Sequence, residues 1–117
     1  MTMEDLFEIL SESVSCGSGE FSIRLNPGHS LYKAHFPGNP ITPGVCLIKI
    51  ATILCSRVAG RNLSLYGASE VKFLSPLRPG GGTPVEFSVT LLREPGDYRA
   101  MISCDGRAHA RMKLSFK

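Results

Sequence analysis

The sequence predicts an α+β domain in which a curved antiparallel sheet wraps one long central helix. Three observations lead there. Residues 45–60, VCLIKIATILCSRVAG, are apolar around most of a helical circumference, so this helix has to be covered on most sides. Several other segments alternate between apolar and polar residues, as half-buried strands do. Their outward positions are strongly polar, which gives a sheet with one packed face and one wet face. Curling the dry face around the helix buries both.

Taken in order, residues 3–13 (MEDLFEILSES) bring Leu6, Ile9 and Leu10 to one helical face. Acids stand at the front, where a helix dipole favours them, so a short helix is expected. A turn follows at Gly17-Ser18-Gly19, and EFSIRL then sets Phe21, Ile23 and Leu25 against Ser22 and Arg24, a strand. Residues 26–44, NPGHSLYKAHFPGNPITPG, hold four of the eight prolines and read as a long, stiff connection. Thr42 can cap exposed helix amides and Pro43 suits a first turn, so the long helix is expected over 43–59, ended by Gly60. Glu70 to Leu74 reads as a short strand, followed by a turn rich in proline and glycine from Ser75 to Pro84. Val85, Phe87, Val89 and Leu91 form the inward set of the next strand, and Tyr98, Ala100, Ile102 and Cys104 that of another. Asp105-Gly106 is a two-residue hairpin signal, leading to a last strand with Ala108, Ala110, Met112, Leu114 and Phe116 inward. Strand edges stay open in such a sheet, and a homodimer that continues the sheet across them is expected.

The 117 residues (12.7 kDa) suit one domain spanning 1–117, large enough for a core yet small enough to gain from a partner. A balance of 43% hydrophobic and 20% charged residues excludes a disordered chain. The net charge of +3 comes from 13 basic and 10 acidic residues scattered without a run, and aromatics are 8% with no tryptophan. Nucleic acid is therefore not an expected partner. The opening MTMEDLFEIL carries acids where a secretory signal carries bases, and no apolar stretch is long enough to span a membrane. The four cysteines, Cys16, Cys46, Cys55 and Cys104, form no CxxC pair, which predicts reduced thiols in a cytoplasmic protein and no zinc site.

Of the three histidines, His109 falls on the wet face of a strand and His29 in a loop beside Pro27 and Gly28. His35 sits in LYKAHFPGNPITPG, just ahead of the apolar helix. Pro37, Pro40 and Pro43 stiffen that loop and can hold a side chain at low entropy cost. A helix N-terminus lies nearby, where free amides stabilise developing negative charge. A satisfied structural histidine remains the alternative. Lys49 is the one charge between Val45 and Ser56, so it either snorkels to the rim of a cavity or meets a carboxylate or bound anion.

The run His35-Phe36-Pro37-Gly38-Asn39-Pro40-Ile41-Thr42-Pro43-Gly44-Val45 resembles the signature of the 3-hydroxyacyl-[acyl-carrier-protein] dehydratases. SEVKFLSPLRPG at 69–80 is similar to that family's strand and turn after the helix. The resemblance implies the hot-dog fold, a curved antiparallel sheet around a central helix. It also implies a dehydratase that eliminates water from (3R)-hydroxyacyl thioesters to give trans-2-enoyl thioesters, with no cofactor and no metal. His35 would be the base that takes the α-proton, and the Gly44 N–H would hold the thioester carbonyl. Phe36, Pro37, Pro43 and Val45 would border the substrate. The carrier would be acyl carrier protein or coenzyme A.

The family places a Glu or Asp fourteen residues after the histidine, where it reaches the other subunit's histidine and protonates the leaving hydroxyl. Here that position is Lys49, and no carboxylate stands between Gly44 and Gly60. Three readings follow. The chain is a dehydratase with altered acid chemistry; or it pairs with an acid-bearing homologue, as a heterodimer or in a higher oligomer; or it only binds acyl thioesters.

Overall fold

The computed structural model describes residues 5–34 and 38–117. The strands are β1 (Phe7–Ser15), β2 (Ser18–Leu25), β3 (Leu65–Phe73), β4 (Val85–Arg93), β5 (Asp97–Cys104) and β6 (Arg107–Phe116). Two helices, α1 (Ser30–Ala34) and α2 (Gly44–Ala59), lie between β2 and β3. One antiparallel six-stranded sheet runs in the order β1-β2-β4-β5-β6-β3, with β1 and β3 at its edges.

The alternating strands bury most of the residues that their period assigns inward, but Leu91 and Cys104 are only partly buried and Ala108 is exposed, beyond a register shift at Ile102/Ser103. Phe21, Ile23, Phe87, Val89, Ala100, Ile102, Met112, Leu114 and Phe116 are all at most 2% exposed. Against them α2 lays Cys46, Leu47, Ile50, Ala51, Leu54 and Cys55. The helix ends at Gly60, whose left-handed φ of 72° turns the chain while its N–H donates to the Ser56 carbonyl at 2.9 Å. Asp105 (φ 53°) and Gly106 (φ 76°) form the tight hairpin between β5 and β6. All four cysteines are unpaired, and burial pushes the Cys55 thiol up to about 12. No helix among the described residues is long and apolar enough to cross a membrane.

The structure corrects the first element. Residues 7–15 are not helical; they form β1, paired with β2 through a tight turn at Cys16 and Gly17. The helical spacing of Leu6, Ile9 and Leu10 is not used as a face: Leu6 is buried before the strand begins, and Leu10, 39% exposed, lies at a register shift. A short isolated helix is marginal, whereas pairing with β2 satisfies a whole row of backbone groups.

The cap of α2 differs as well. Pro43 is the N-cap residue and no side chain caps the helix, because the Thr42 hydroxyl is 2.9 Å from the buried Tyr32 hydroxyl instead. Burial of α2 is also less complete than the sequence suggests. Val45 (59% exposed), Lys49, Ile53 (38%) and Arg57 form an outward stripe at four-residue spacing.

Gly96, buried before β5, tests the close packing of the β6 end. A Cβ there would lie 2.7 Å from the Phe116 carbonyl oxygen, which is backbone and cannot swing aside. Gly96→Ala is expected to lower stability by about 1–3 kcal/mol in urea denaturation; an unchanged midpoint would contradict this packing.

Candidate functional site

The candidate site is assembled around the head of α2. Its first turn is held by the Pro43 carbonyl, which accepts from the N–H groups of Cys46 (3.0 Å) and Leu47 (3.3 Å). Gly44 and Val45 are the leading amides, donors for which a helix offers no partner of its own. With no capping side chain, the helix dipole and these amides are left to favour an anionic or polarised oxygen.

The segment leading into α2 is strapped down on both sides. The Thr42 N–H donates to the Leu77 carbonyl at 2.8 Å, and the Thr42 hydroxyl meets Tyr32 from α1. Burial raises the Tyr32 phenol above its ordinary value, and its bond to Thr42 pulls the other way. The Arg78 guanidinium donates to the Asn39 side-chain oxygen. Neither Tyr32 nor Arg78 stood out in the sequence, since a tyrosine and an arginine in connecting segments carry no periodic signal.

Phe73, at the end of β3, crosses the head of the helix. A Cβ on Gly44 would come within 2.8 Å of three of its ring carbons, so glycine is what lets the ring lie there. Lys49 lies on the outward stripe of α2, four residues beyond Val45, and is exposed. It is close enough to act on Cys46, whose thiol is raised by burial and lowered in part by the Lys49 ammonium.

His35, Phe36 and Pro37 lie outside the described residues. The other two histidines have local structural partners. His29 is buried, and its Nδ1 accepts from the Leu31 N–H at 3.0 Å, which fixes the start of α1. His109 Nδ1 lies 2.9 Å from the Ser75 hydroxyl on the outer side of the sheet. Glu70, the first carboxylate after α2, is also on the outer face, 3.6 Å from Lys113.

Four cavities, of about 410, 270, 520 and 280 Å³, have no wall formed by Gly44, Val45 or Lys49. Of the stripe, Ile53 and Arg57 instead line the cavity of about 520 Å³ at the far end of α2.

Residues 11–113 match the ApeI-like family, described as ApeI dehydratase. The 3-hydroxyacyl-[acyl-carrier-protein] dehydratase FabZ of Latilactobacillus sakei is 25% identical over 119 residues, covering 92% of this chain and 85% of that protein. FabZ of Oenococcus oeni is 30% identical over 93 residues, covering 73% and 67% respectively. Among solved structures, the dehydratase heterocomplex ApeI:P from Xenorhabdus doucetiae gives a TM-score of 0.81 at 18% identity, over 93% of this chain and 96% of that one. A hypothetical thioesterase protein with coenzyme A from Streptococcus pneumoniae gives 0.71 at 11% identity, over 98% and 88%. These likenesses establish the α+β hot-dog fold, with one long central helix and a multi-stranded antiparallel sheet.

The Gly44–Phe73 contact has a measurable consequence. Phe73 is half exposed, so its ring can move away from an added methyl at modest cost. Gly44→Ala is expected to cost about 1 kcal/mol in the native background and close to nothing beside Phe73→Ala. Equal losses in both backgrounds, measured by urea denaturation, would show that the ring does not constrain position 44.

Proposed function

The chain belongs to the ApeI-like dehydratase family, and from that premise we propose that it is an acyl-thioester-binding hot-dog subunit that pairs with an acid-bearing homologue to dehydrate 3-hydroxyacyl groups. The observation that carries this reading is the composition of α2. From Gly44 to Ala59 it has no carboxylate, and its uncovered face is the stripe of Val45, Lys49, Ile53 and Arg57.

The proposed chemistry divides between two chains. A thioester carried on acyl carrier protein or coenzyme A lies at the head of α2, its carbonyl oxygen held by the Gly44 N–H and bordered by Phe36, Pro37, Pro43 and Val45. His35 takes the proton from C2, and the negative charge that grows on the carbonyl oxygen is stabilised by the helix amides. The electron pair then forms the C2–C3 double bond, and the C3 hydroxyl leaves as water once it receives a proton.

That last proton needs an acid. In this chain Lys49 stands where the related dehydratases have theirs, and it brings the opposite charge toward a base that must accept a proton. A cation there lowers the basicity of a neighbouring histidine. A homologue laid against the uncovered face of α2 supplies a carboxylate instead. The exposed Leu65, Tyr66, Phe73 and Leu74 at and beside the edge strand β3 extend the same surface. The solved heterocomplex of ApeI and P supports pairing between unlike subunits.

The test is to follow enoyl formation from 3-hydroxyacyl thioesters with the purified chain, alone and mixed with an acid-bearing member of the family. The chain alone is expected to be slow or silent, and the mixture active. His35→Ala in the mixture is expected to cost about 10²–10⁴-fold, and Lys49→Glu to raise the rate of the chain alone at least tenfold. A fast wild type without a partner would overturn the two-subunit reading. Silence in the mixture and in Lys49→Glu, with the thioester still bound, would leave binding as the function.

A further inference from the structure

Among the described residues, two that are not glycine take a left-handed φ. Asp105 needs it for the hairpin between β5 and β6, but Glu70, at φ 48°, lies inside β3, where the chain makes no turn. A residue with a Cβ adopts that conformation only under strain, so the surrounding structure must impose it. Glu70 sits where the ladder to β6 loses its register. Ser69 pairs with Lys113, but Lys72 pairs with Arg111 and Phe73 with Ala110. Three steps along β3 therefore match two along β6, which is a β-bulge.

The bulge decides which side chains face α2. Side chains alternate along a strand, so one extra residue exchanges the faces of everything after it. Carried on without the bulge from the Ser69–Lys113 rung, the ladder would set Glu70 against Met112 and Lys72 against Ala110, both inward positions. Val71 and Phe73 would then point to solvent. With the bulge, Lys72 stands outside beside Arg111, while Val71 packs against the core and Phe73 turns inward.

Phe73 nevertheless does not join the core. Turned inward, it stays 53% exposed, and the tip of its ring rests on Gly44, where an added Cβ would lie 2.4 Å from the leading ring carbon. Beyond it the strand end is pinned. The N–H groups of Leu74 and Ser75 both donate to the His109 carbonyl, at 2.8 and 3.3 Å, and the Ser75 hydroxyl lies 2.9 Å from His109 Nδ1. The backbone is thus held, and the ring moves only by turning about its own side-chain bonds. Half-burial of one ring does little to offset the strain at Glu70. What the bulge achieves is an aromatic wall at the Gly44 amide.

We propose that Phe73, aimed by the bulge at Glu70, is a specificity-determining residue that admits acyl thioesters unbranched at C2 and disfavours those with a methyl there. This rests on the thioester reading above, in which the carbonyl oxygen accepts from the Gly44 N–H. Such an oxygen lies about 2.9 Å from the nitrogen, which brings the two substituents of the carbonyl beside the ring. One is the sulfur, followed by the same CH₂ in every carrier thioester. The other is C2, the one position next to the carbonyl whose substitution varies between acyl groups. The ring crowds a methyl on Gly44, and a methyl on C2 meets the same ring from the ligand side.

The test titrates a straight-chain 3-hydroxyacyl coenzyme A thioester, and its 2-methyl counterpart, into the purified chain together with its partner subunit. Affinities are read by calorimetry, and the thermal midpoint of each variant is followed in parallel. One methyl in a rigid apolar pocket changes affinity about 10–200-fold; a half-exposed ring yields, so wild type is expected to prefer the unbranched thioester about fivefold or more. Phe73→Ala is expected to bring the ratio close to one by tightening the branched ligand. Phe73→Tyr, which keeps the ring, is expected to preserve the preference, and Phe73→Leu to fall between. Glu70→Gly accepts a left-handed φ and is expected to keep the preference. Glu70→Val resists that φ and is expected to lose the bulge, and the preference with it.

A wild type that binds both thioesters alike would overturn the proposal, as would Phe73→Ala with the wild-type ratio. Phe73→Ala that weakens both ligands equally would do the same, since the ring would then serve only the fold. A preference retained in Glu70→Val would overturn the aiming role of the bulge. Each of these outcomes leaves the thioester reading standing, whereas a wild type that binds neither thioester removes that reading and this proposal with it.

Discussion

A helix that is apolar around most of its circumference has to be covered, and a single sheet offers one dry face on which to do it. α2 meets that constraint with Cys46, Leu47, Ile50, Ala51, Leu54 and Cys55 turned into the curve of the sheet. A large apolar side chain gains about 1.5–3 kcal/mol from full burial, so this contact sets where the sheet must curl. The same geometry leaves one stripe of the helix uncovered, because a sheet of six strands does not close around it. Val45 and Ile53 on that stripe are the apolar remainder of the problem.

What remains uncovered is where the chemistry is proposed. Gly44 immediately precedes the stripe, and Thr42, strapped to Tyr32 and to the Leu77 carbonyl, fixes how the chain enters the helix. Phe73 from the edge strand lies over the same glycine. The head of the helix is therefore rigidly placed, free of a side-chain cap, and next to both the open stripe and the open edge. In the proposed function a second subunit on that surface covers the stripe and brings the acid that α2 lacks. The fold and the proposed reaction call for the same partner.

Much of this was legible in the sequence, for reasons that particular residues make clear. The alternation of Phe87 with Ser88 and Val89, or of Ala110 with Arg111 and Met112, is read from one face being wet, and it holds wherever the ladder keeps its register. Gly60 and Asp105-Gly106 are legible because their backbone angles suit few other residues. β1 was not legible, since its exposed edge is held by backbone pairing that leaves no period in the side chains. β3 begins at Leu65 rather than Glu70, and its bulge breaks the alternation that would have revealed it. Thr42 illustrates a competition that sequence does not decide: its hydroxyl could cap the helix or meet Tyr32, and the buried tyrosine takes it. For the site, Gly44 and Lys49 fall at the head and on the open face of α2, whereas Phe73 joins them only because the bulge turns it inward.

The central claim is that the open stripe of α2 and the β3 edge belong against another hot-dog subunit. Native mass spectrometry at micromolar concentration tests it most directly, on the chain alone and mixed with an acid-bearing member of its family. The expected result is a two-chain particle, with the unlike pair displacing any pair of identical chains, and with Ile53→Asp shifting both toward single chains. A wild-type chain that stays monomeric alone and in the mixture would contradict it.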